Sequence, residues 1–143
     1  MCYSIYVSTD SNQDLSGCNG ELIHFQKEAI AESYSSLLRH ENQWFVGSKS
    51  VCSCTFRHLF STELGFSEPV DWFEEDEDEI EATLLFIKIV RRLIDQGHQV
   101  DCLDAWYGVA KEDITEMKVN LKDLDDEQFR FFENQHFIFN NGD

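Results

Sequence analysis

Apolar and polar residues alternate along several stretches of the chain, and this period of two predicts β-strands with one buried face. In residues 3–9 every second position, namely Tyr3, Ile5 and Val7, is apolar or aromatic and predicted to be buried. Further strands are predicted at 21–25, 100–107, 117–122 and 136–140. The β-rich runs 44–46 and 51–56 flank a short segment with a turn glycine, which predicts an antiparallel hairpin.

A helical period appears most clearly between about Asp76 or Asp78 and Gln96, where apolar residues around Phe86 cover nearly half of a helical wheel. Acidic residues at its start, arginines near its end and the following Gly97 agree with helix capping and with the helix dipole. The spacing predicts a second helix over 27–40. A third is predicted to begin at Asp125 or Asp126 and to carry Phe129 and Phe132; the alternative for this segment is a hairpin that turns at 133–135.

These elements predict one α+β domain over residues 1–143, a sandwich of a mixed sheet with helices packed mainly on one face. Within the sheet we expect the segments 3–9, 51–56, 100–106 and 116–121. A ferredoxin-like topology is compatible with the order of elements over residues 3–106. Between about 60 and 79 the pattern is irregular and strongly acidic.

Charge narrows the range of partners. The chain has 11 Lys and Arg against 28 Asp and Glu, a formal net charge of −17. Such a protein is repelled by phosphate backbones and anionic lipids, so we expect no direct binding to nucleic acid or to a membrane. We expect no signal peptide or spanning segment either, and therefore a cytoplasmic protein.

The densest acidic run suggests where a partner binds. It comprises Glu74, Glu75, Asp76, Glu77, Asp78 and Glu79. These carboxylates either form a docking surface for a basic protein or are solvated residues that stabilise the start of the helix through its dipole.

The five cysteines are an odd number in a chain that has enough apolar residues to fold without disulfides, so we expect reduced thiols. Cys52 and Cys54 lie two apart on a predicted strand and so on one face, and His58 follows closely. With Cys102 as a fourth ligand, or His98 in its place, this set predicts a zinc site; the alternative is a set of buried core thiols. A right-handed crossover through the long helix would bring the strands of Cys54 and Cys102 near each other.

A nucleophilic role is a further alternative, with Cys52 or Cys54 as the nucleophile, His58 as its base, and Arg57 lowering the pKa of the thiol. The known catalytic and nucleotide-binding motifs are absent from the sequence. Asp101 and Asp104 lie on a predicted buried strand, where each carboxylate needs a partner. The sequence thus favours a non-enzymatic interaction module without a cofactor over a thiol- or zinc-dependent activity centred on Cys52, Cys54 and His58.

Overall fold

The computed structural model describes residues 3–49, 52–59 and 76–142. The strands in this part of the chain are β1 (Tyr3–Thr9), β2 (Ile23–Gln26), β3 (Asn42–Ser48), β4 (His58–Leu59), β5 (Val100–Trp106), β6 (Thr115–Asn120), β7 (Phe131–Phe132) and β8 (Gln135–Asn140). The α-helices are α1 (Glu32–Ser35) and α2 (Glu77–Asp95). Short 3-10 helices occupy Leu15–Cys18, Ser53–Thr55, Lys111–Asp113 and Asp126–Gln128.

Six strands form a mixed sheet in the order β2-β3-β1-β5-β8-β6. All neighbours are antiparallel except β6 and β8, which are parallel. β4 and β7 form a separate two-stranded parallel sheet. The prediction of a single α+β domain with a mixed sheet agrees with this architecture. The ferredoxin-like order is not confirmed, because both neighbours of β1 run antiparallel to it.

The core lies between α2 and one face of the sheet. Phe86 and Val90 of α2 share one buried cluster with Ile5, Val7 and Cys102 of the central strands. The ring of Phe86 is fully buried and lies among other phenylalanine rings at centroid distances of 5.1 to 6.5 Å, namely those of Phe56, Phe129, Phe131 and Phe139. The predicted apolar face of α2 is therefore the face that builds the core.

α2 begins and ends as its sequence predicts. The side chain of Asp76 accepts a hydrogen bond from the Asp78 N–H at 2.9 Å and so caps the helix. At the other end Gly97 adopts a φ of +92°, which is the left-handed conformation that favours glycine after a helix.

The opposite face of the sheet is contacted by α1 and the loop that follows it. The ring of Tyr34 lies 6.3 Å from that of Tyr6, and the backbone N–H groups of Arg39 and His40 reach side chains of β5 and β1. Because strand residues alternate between faces, these contacts lie opposite the α2 side. The expectation that helices pack mainly on one face is therefore not confirmed.

A side chain closes the outer edge of β2. The Phe25 N–H donates to the Asn19 side-chain oxygen at 2.6 Å, and the Asn19 amide donates to the Phe25 carbonyl at 3.4 Å. The Gly20 N–H also donates to the Ile23 carbonyl at 2.8 Å. Backbone groups that an edge strand would otherwise present to solvent are bound here within the chain.

The prediction that residues 52–56 form the second strand of a hairpin is wrong. This segment contains the 3-10 helix Ser53–Thr55 instead. Ser53 explains the difference: its hydroxyl accepts from the Ile5 N–H at 2.9 Å and donates to the Val46 carbonyl at 2.6 Å. The segment therefore docks through a side chain between β1 and β3. The crossover that relied on a Cys54 strand is wrong for the same reason.

Two predicted helices are shorter than expected. The segment 27–40 is helical only over Glu32–Ser35, which buries no residue and so gains little from packing. Near the end of the chain, Asp126–Gln128 is a single 3-10 turn, and Phe131 and Phe132 then form β7 instead of continuing a helix. The Phe131 N–H donates to the Arg57 carbonyl at 2.8 Å, a contact between residues distant in sequence.

Candidate functional site

The predicted thiol site is centred on the segment 52–58, and its geometry follows from the 3-10 helix. Cys52 and Cys54 are half-buried, and they no longer share a face by strand alternation. Cys54 lies close enough to Tyr3 to influence the pKa of the Tyr3 hydroxyl electrostatically. Cys102 is a free thiol in the core, and burial, followed by the charges of Asp104 and Asp101, raises the pKa of this thiol well above its ordinary value. It therefore stays protonated near neutral pH.

His58 occupies the centre of this region, and both of its ring nitrogens have partners. Nδ1 lies 3.1 Å from the Phe56 carbonyl oxygen, and Nε2 lies 3.2 Å from Asp104. A carbonyl oxygen only accepts, so Nδ1 carries a proton. A bare lone pair on Nε2 would repel the carboxylate, so a second proton lies between Nε2 and Asp104. In this arrangement His58 has no free nitrogen with which to take a proton from a thiol or to bind a metal.

Asp104 is fully buried on β5, on the α2 side of the sheet. Burial raises the pKa of its carboxyl group, and the neighbouring His58 opposes that rise. His58 Nε2 lies 3.2 Å from this carboxyl group and is its ionisable neighbour. The buried carboxylate that the sequence singled out is thus matched by a histidine of the same chain.

Aromatic residues cover the His58 imidazole. The ring of Tyr3 stacks on it with centroids 3.9 Å apart and planes 9° apart, and Trp106 contacts Tyr3 edge-on at 4.8 Å. The Tyr3 hydroxyl donates to Glu133 at 2.9 Å. Burial and, after it, this hydrogen bond to Glu133 raise the pKa of Tyr3, so the phenol remains protonated. The stack shields the pair of His58 and Asp104 from solvent.

A second buried pair lies on the other face of β5. Asp101 is fully buried and accepts from His136 Nε2 at 2.6 Å, from the Arg39 N–H at 3.0 Å and from the Ser8 hydroxyl. The Ser8 oxygen in turn accepts from the His40 N–H at 3.2 Å. The network joins β1, β5, β8 and the loop before β3. The sequence reasoning identified Asp101 as needing a partner but missed Ser8 and His136.

Two residues in the described part of the acidic run, Asp76 and Asp78, make contacts within the chain. Asp76 caps α2, and Asp78 forms an ion pair with Lys49 at 2.6 Å. Asp76 and Glu77 are exposed, whereas Asp78 and Glu79 are half-buried. Glu74 and Glu75 lie outside the described residues. The run therefore presents at least two exposed carboxylates beside one ion pair.

Several cations are withdrawn from the surface or paired with acids. Arg57 and Arg130 are 4% and 1% exposed. The Arg57 guanidinium donates to the Glu127 carbonyl at 2.7 Å and to the Phe129 carbonyl at 3.3 Å, so it holds the loop before β7. Arg39 and Arg91 form ion pairs with Glu116 and Asp126 at 2.9 and 2.5 Å. The two buried arginines therefore add no positive charge to the protein surface.

Two further findings concern metal binding and membrane-spanning helices. Within residues 3–49, 52–59 and 76–142, no group of three His, Cys, Asp or Glu side chains is arranged to hold a metal ion. The zinc site of Cys52, Cys54, His58 and Cys102 stays a prediction. No helix in the same residues has the length and apolar character needed to cross a membrane.

Comparison of the chain with protein-family models, with curated proteins and with solved structures finds no match.

Proposed function

We propose that this protein is an interaction module that presents an acidic surface at the start of α2 to a basic protein partner. The observation that carries the proposal is the exposure of Asp76 and Glu77 at this helix start, in a chain with a formal net charge of −17. Complementary charge accelerates association and selects among partners. A cytoplasmic location is part of the proposal, since reduced thiols such as Cys18 and Cys102 suit a reducing compartment.

The contacts of His58 make the rival thiol activity the weaker explanation. A nucleophilic cysteine needs an adjacent base with a free lone pair. Nδ1 of His58 donates to a backbone carbonyl, and Nε2 shares a proton with Asp104. The pair therefore supports the fold of the 52–58 segment and does not activate Cys52 or Cys54.

A defined basic probe tests the docking surface. We would measure binding of a fluorescent oligolysine peptide by anisotropy at several salt concentrations, for the wild type and for a variant with Glu74→Gln, Glu75→Gln and Glu77→Gln. These substitutions leave the Asp76 cap and the ion pair of Asp78 in place. We expect affinity to fall about tenfold and its salt dependence to become flatter, since the loss of a charge contact at a protein surface costs up to about 1 kcal/mol.

A matched control separates a local surface from overall charge. Glu21→Gln, Glu28→Gln and Glu112→Gln together remove the same charge from exposed positions elsewhere. This control should bind the peptide nearly as well as the wild type. Equal losses in the two triple variants, or a loss that only follows a lower melting temperature, would refute a docking surface at the start of α2.

A further inference from the structure

A cleft of about 460 Å³ opens beside β2 and β3, near the 3-10 helix Leu15–Cys18. Phe25 and Trp44 supply its aromatic walls, and Lys27 and Asp14 supply one charge of each sign. The cleft is distant in sequence from the acidic run and plays no part in the docking proposal.

The amide side chains at the cleft belong to the scaffold. The Asn42 amide donates to the Ser11 carbonyl at 2.5 Å, and the Gln13 amide donates to the Gln96 side-chain oxygen at 3.1 Å. These bonds hold the loop after β1 against β3 and against the end of α2. Each of these two amides therefore already donates a hydrogen bond within the chain.

Three other atoms at the cleft have no hydrogen-bond or ion-pair partner among the described residues: the indole nitrogen of Trp44, the ammonium nitrogen of Lys27 and Oδ2 of Asp14. Trp44 is only 5% exposed, yet its indole N–H has no hydrogen-bond acceptor in the part of the chain that the structure describes. The Lys27 ammonium lies 4.4 Å above the Trp44 ring and forms no ion pair with any described residue. Asp14 receives both hydrogen bonds from Ser16 on its Oδ1 atom, so Oδ2 accepts from none of these residues. A buried donor without an acceptor is rare in folded proteins and calls for an explanation.

The charges decide which ligand fits these groups. Lys27 and Asp14 both line the cleft, so their opposite charges face a common space. The Ser16 hydrogen bonds and, after them, the Lys27 charge lower the pKa of the Asp14 carboxyl group. A simple anion would be repelled by Asp14 and by the net charge of the protein, and a simple cation bound at Asp14 would leave the Lys27 ammonium without a counter-charge. A neutral molecule with separated charges of both signs avoids both penalties.

We propose that this cleft binds a zwitterionic small molecule of the α-amino-acid class. Its carboxylate would lie between the Lys27 ammonium and the Trp44 indole N–H, and its ammonium would lie against Asp14 Oδ2. The side chain of the ligand would contact the aromatic walls. The exposed Lys27 side chain rests on the indole ring in the unliganded cleft and is the group that moves when the carboxylate binds.

The indole N–H signals in an NMR spectrum report on this site directly. The three Trp residues give one indole signal each, and Trp44→Phe assigns the signal of Trp44. We would titrate the protein with each standard amino acid, and with acetate, methylammonium and glucose as probes that carry only an anion, only a cation or only hydroxyl groups. At least one amino acid should move the Trp44 signal saturably below about 10 mM, and the other probes should bind at least tenfold more weakly.

Charge variants complete the test. Lys27→Gln and Asp14→Asn should each weaken amino-acid binding about tenfold; Asn keeps the cap of the 3-10 helix because its oxygen still accepts from Ser16. Lys88→Gln and Asp113→Asn change the same charges at other exposed positions and should leave binding unchanged. The proposal is overturned if no amino acid saturates the signal, if glucose binds as well, or if the Lys27 and Asp14 variants bind like these controls.

Discussion

Ser53→Ala is the sharpest test of how the 52–58 segment is held. Ser53 is fully buried, and its hydroxyl bridges Ile5 and Val46, which face each other across β1 and β3. Alanine removes the hydroxyl without adding bulk. It leaves the Ile5 N–H and the Val46 carbonyl without the partner that they have at 2.9 and 2.6 Å.

The expected cost follows from these two bonds. A buried polar group left without a partner costs about 1 to 3 kcal/mol, so two such groups together cost about 2 to 4 kcal/mol after some relaxation of the strands. For a chain of this length each kcal/mol lowers the melting temperature by about 3 °C, which gives a decrease of about 6 to 12 °C. Changes of this size are well above the effect of most surface substitutions, about 0.5 kcal/mol.

Urea unfolding followed by circular dichroism measures this cost. Ser36→Ala is the control, because Ser36 is exposed and its hydroxyl makes two long bonds, one to the Ser33 carbonyl at 3.3 Å and one from the Lys111 ammonium at 3.4 Å. The midpoint for Ser53→Ala should fall with little change in the slope. If Ser53→Ala were no more destabilising than Ser36→Ala, the hydroxyl bridge would not be what shapes this segment.

Substitutions at three further positions test other parts of the structure. Burial raises the pKa of Asp104 in the folded state, so at pH values between the ordinary Asp pKa and this raised pKa the protein takes up a proton when it folds. The free energy of unfolding should therefore fall as pH rises through this range, by up to about 1.4 kcal/mol per pH unit. Asp104→Asn still donates to His58 Nε2 and should flatten this dependence in urea unfolding at a series of pH values; an unchanged slope would contradict the shared proton. Phe86→Ala should destabilise the fold by about 3 to 5 kcal/mol in the same assay, and a cost under 1 kcal/mol would show that Phe86 is not central to the core. Asp76→Ala should cost about 1 kcal/mol in thermal unfolding while Asp76→Asn stays near wild type; equal losses would mean that charge, and not capping, matters there.

The spacing of apolar residues correctly predicted β1, β5 and α2. The alternation in 3–9 and the buried run after Val100 correspond to β1 and β5, and the wheel around Phe86 corresponds to α2 with its Asp76 cap. In each case neighbouring residues both form the element and define its buried face. Prediction from one sequence works here because burial and backbone periodicity agree.

Long-range contacts account for the errors. The segment 52–56 has the composition of a strand, but the hydroxyl of Ser53 binds backbone groups of β1 and β3 and bends it into a 3-10 helix. Similarly, Phe131 pairs with His58 across more than half the chain, and no helical or strand period near Phe131 contains that information. Tertiary contacts override local preference at both places.

For the candidate site, the sequence predicted the buried carboxylates but not the side chains that bind them. Sequence reasoning predicted that Asp101 and Asp104 need partners, because a carboxylate on a buried strand is costly alone. It did not identify His136 as the partner of Asp101, and it assigned His58 to a thiol or zinc site instead of to Asp104; the two histidines lie 35 and 46 residues from these carboxylates in sequence. Only the strand pairing identifies them.

The Asn19 side chain at the outer edge of β2 affects how the protein behaves at high concentration. An open edge strand is a template onto which another chain can add by backbone hydrogen bonding, and this is a common route to aggregation. Asn19 fills both backbone positions of Phe25 on that edge, so an incoming strand would have to displace a bound amide before forming its first pair. At β2, therefore, the Asn19 side chain blocks the backbone positions through which a strand of another molecule would extend the sheet.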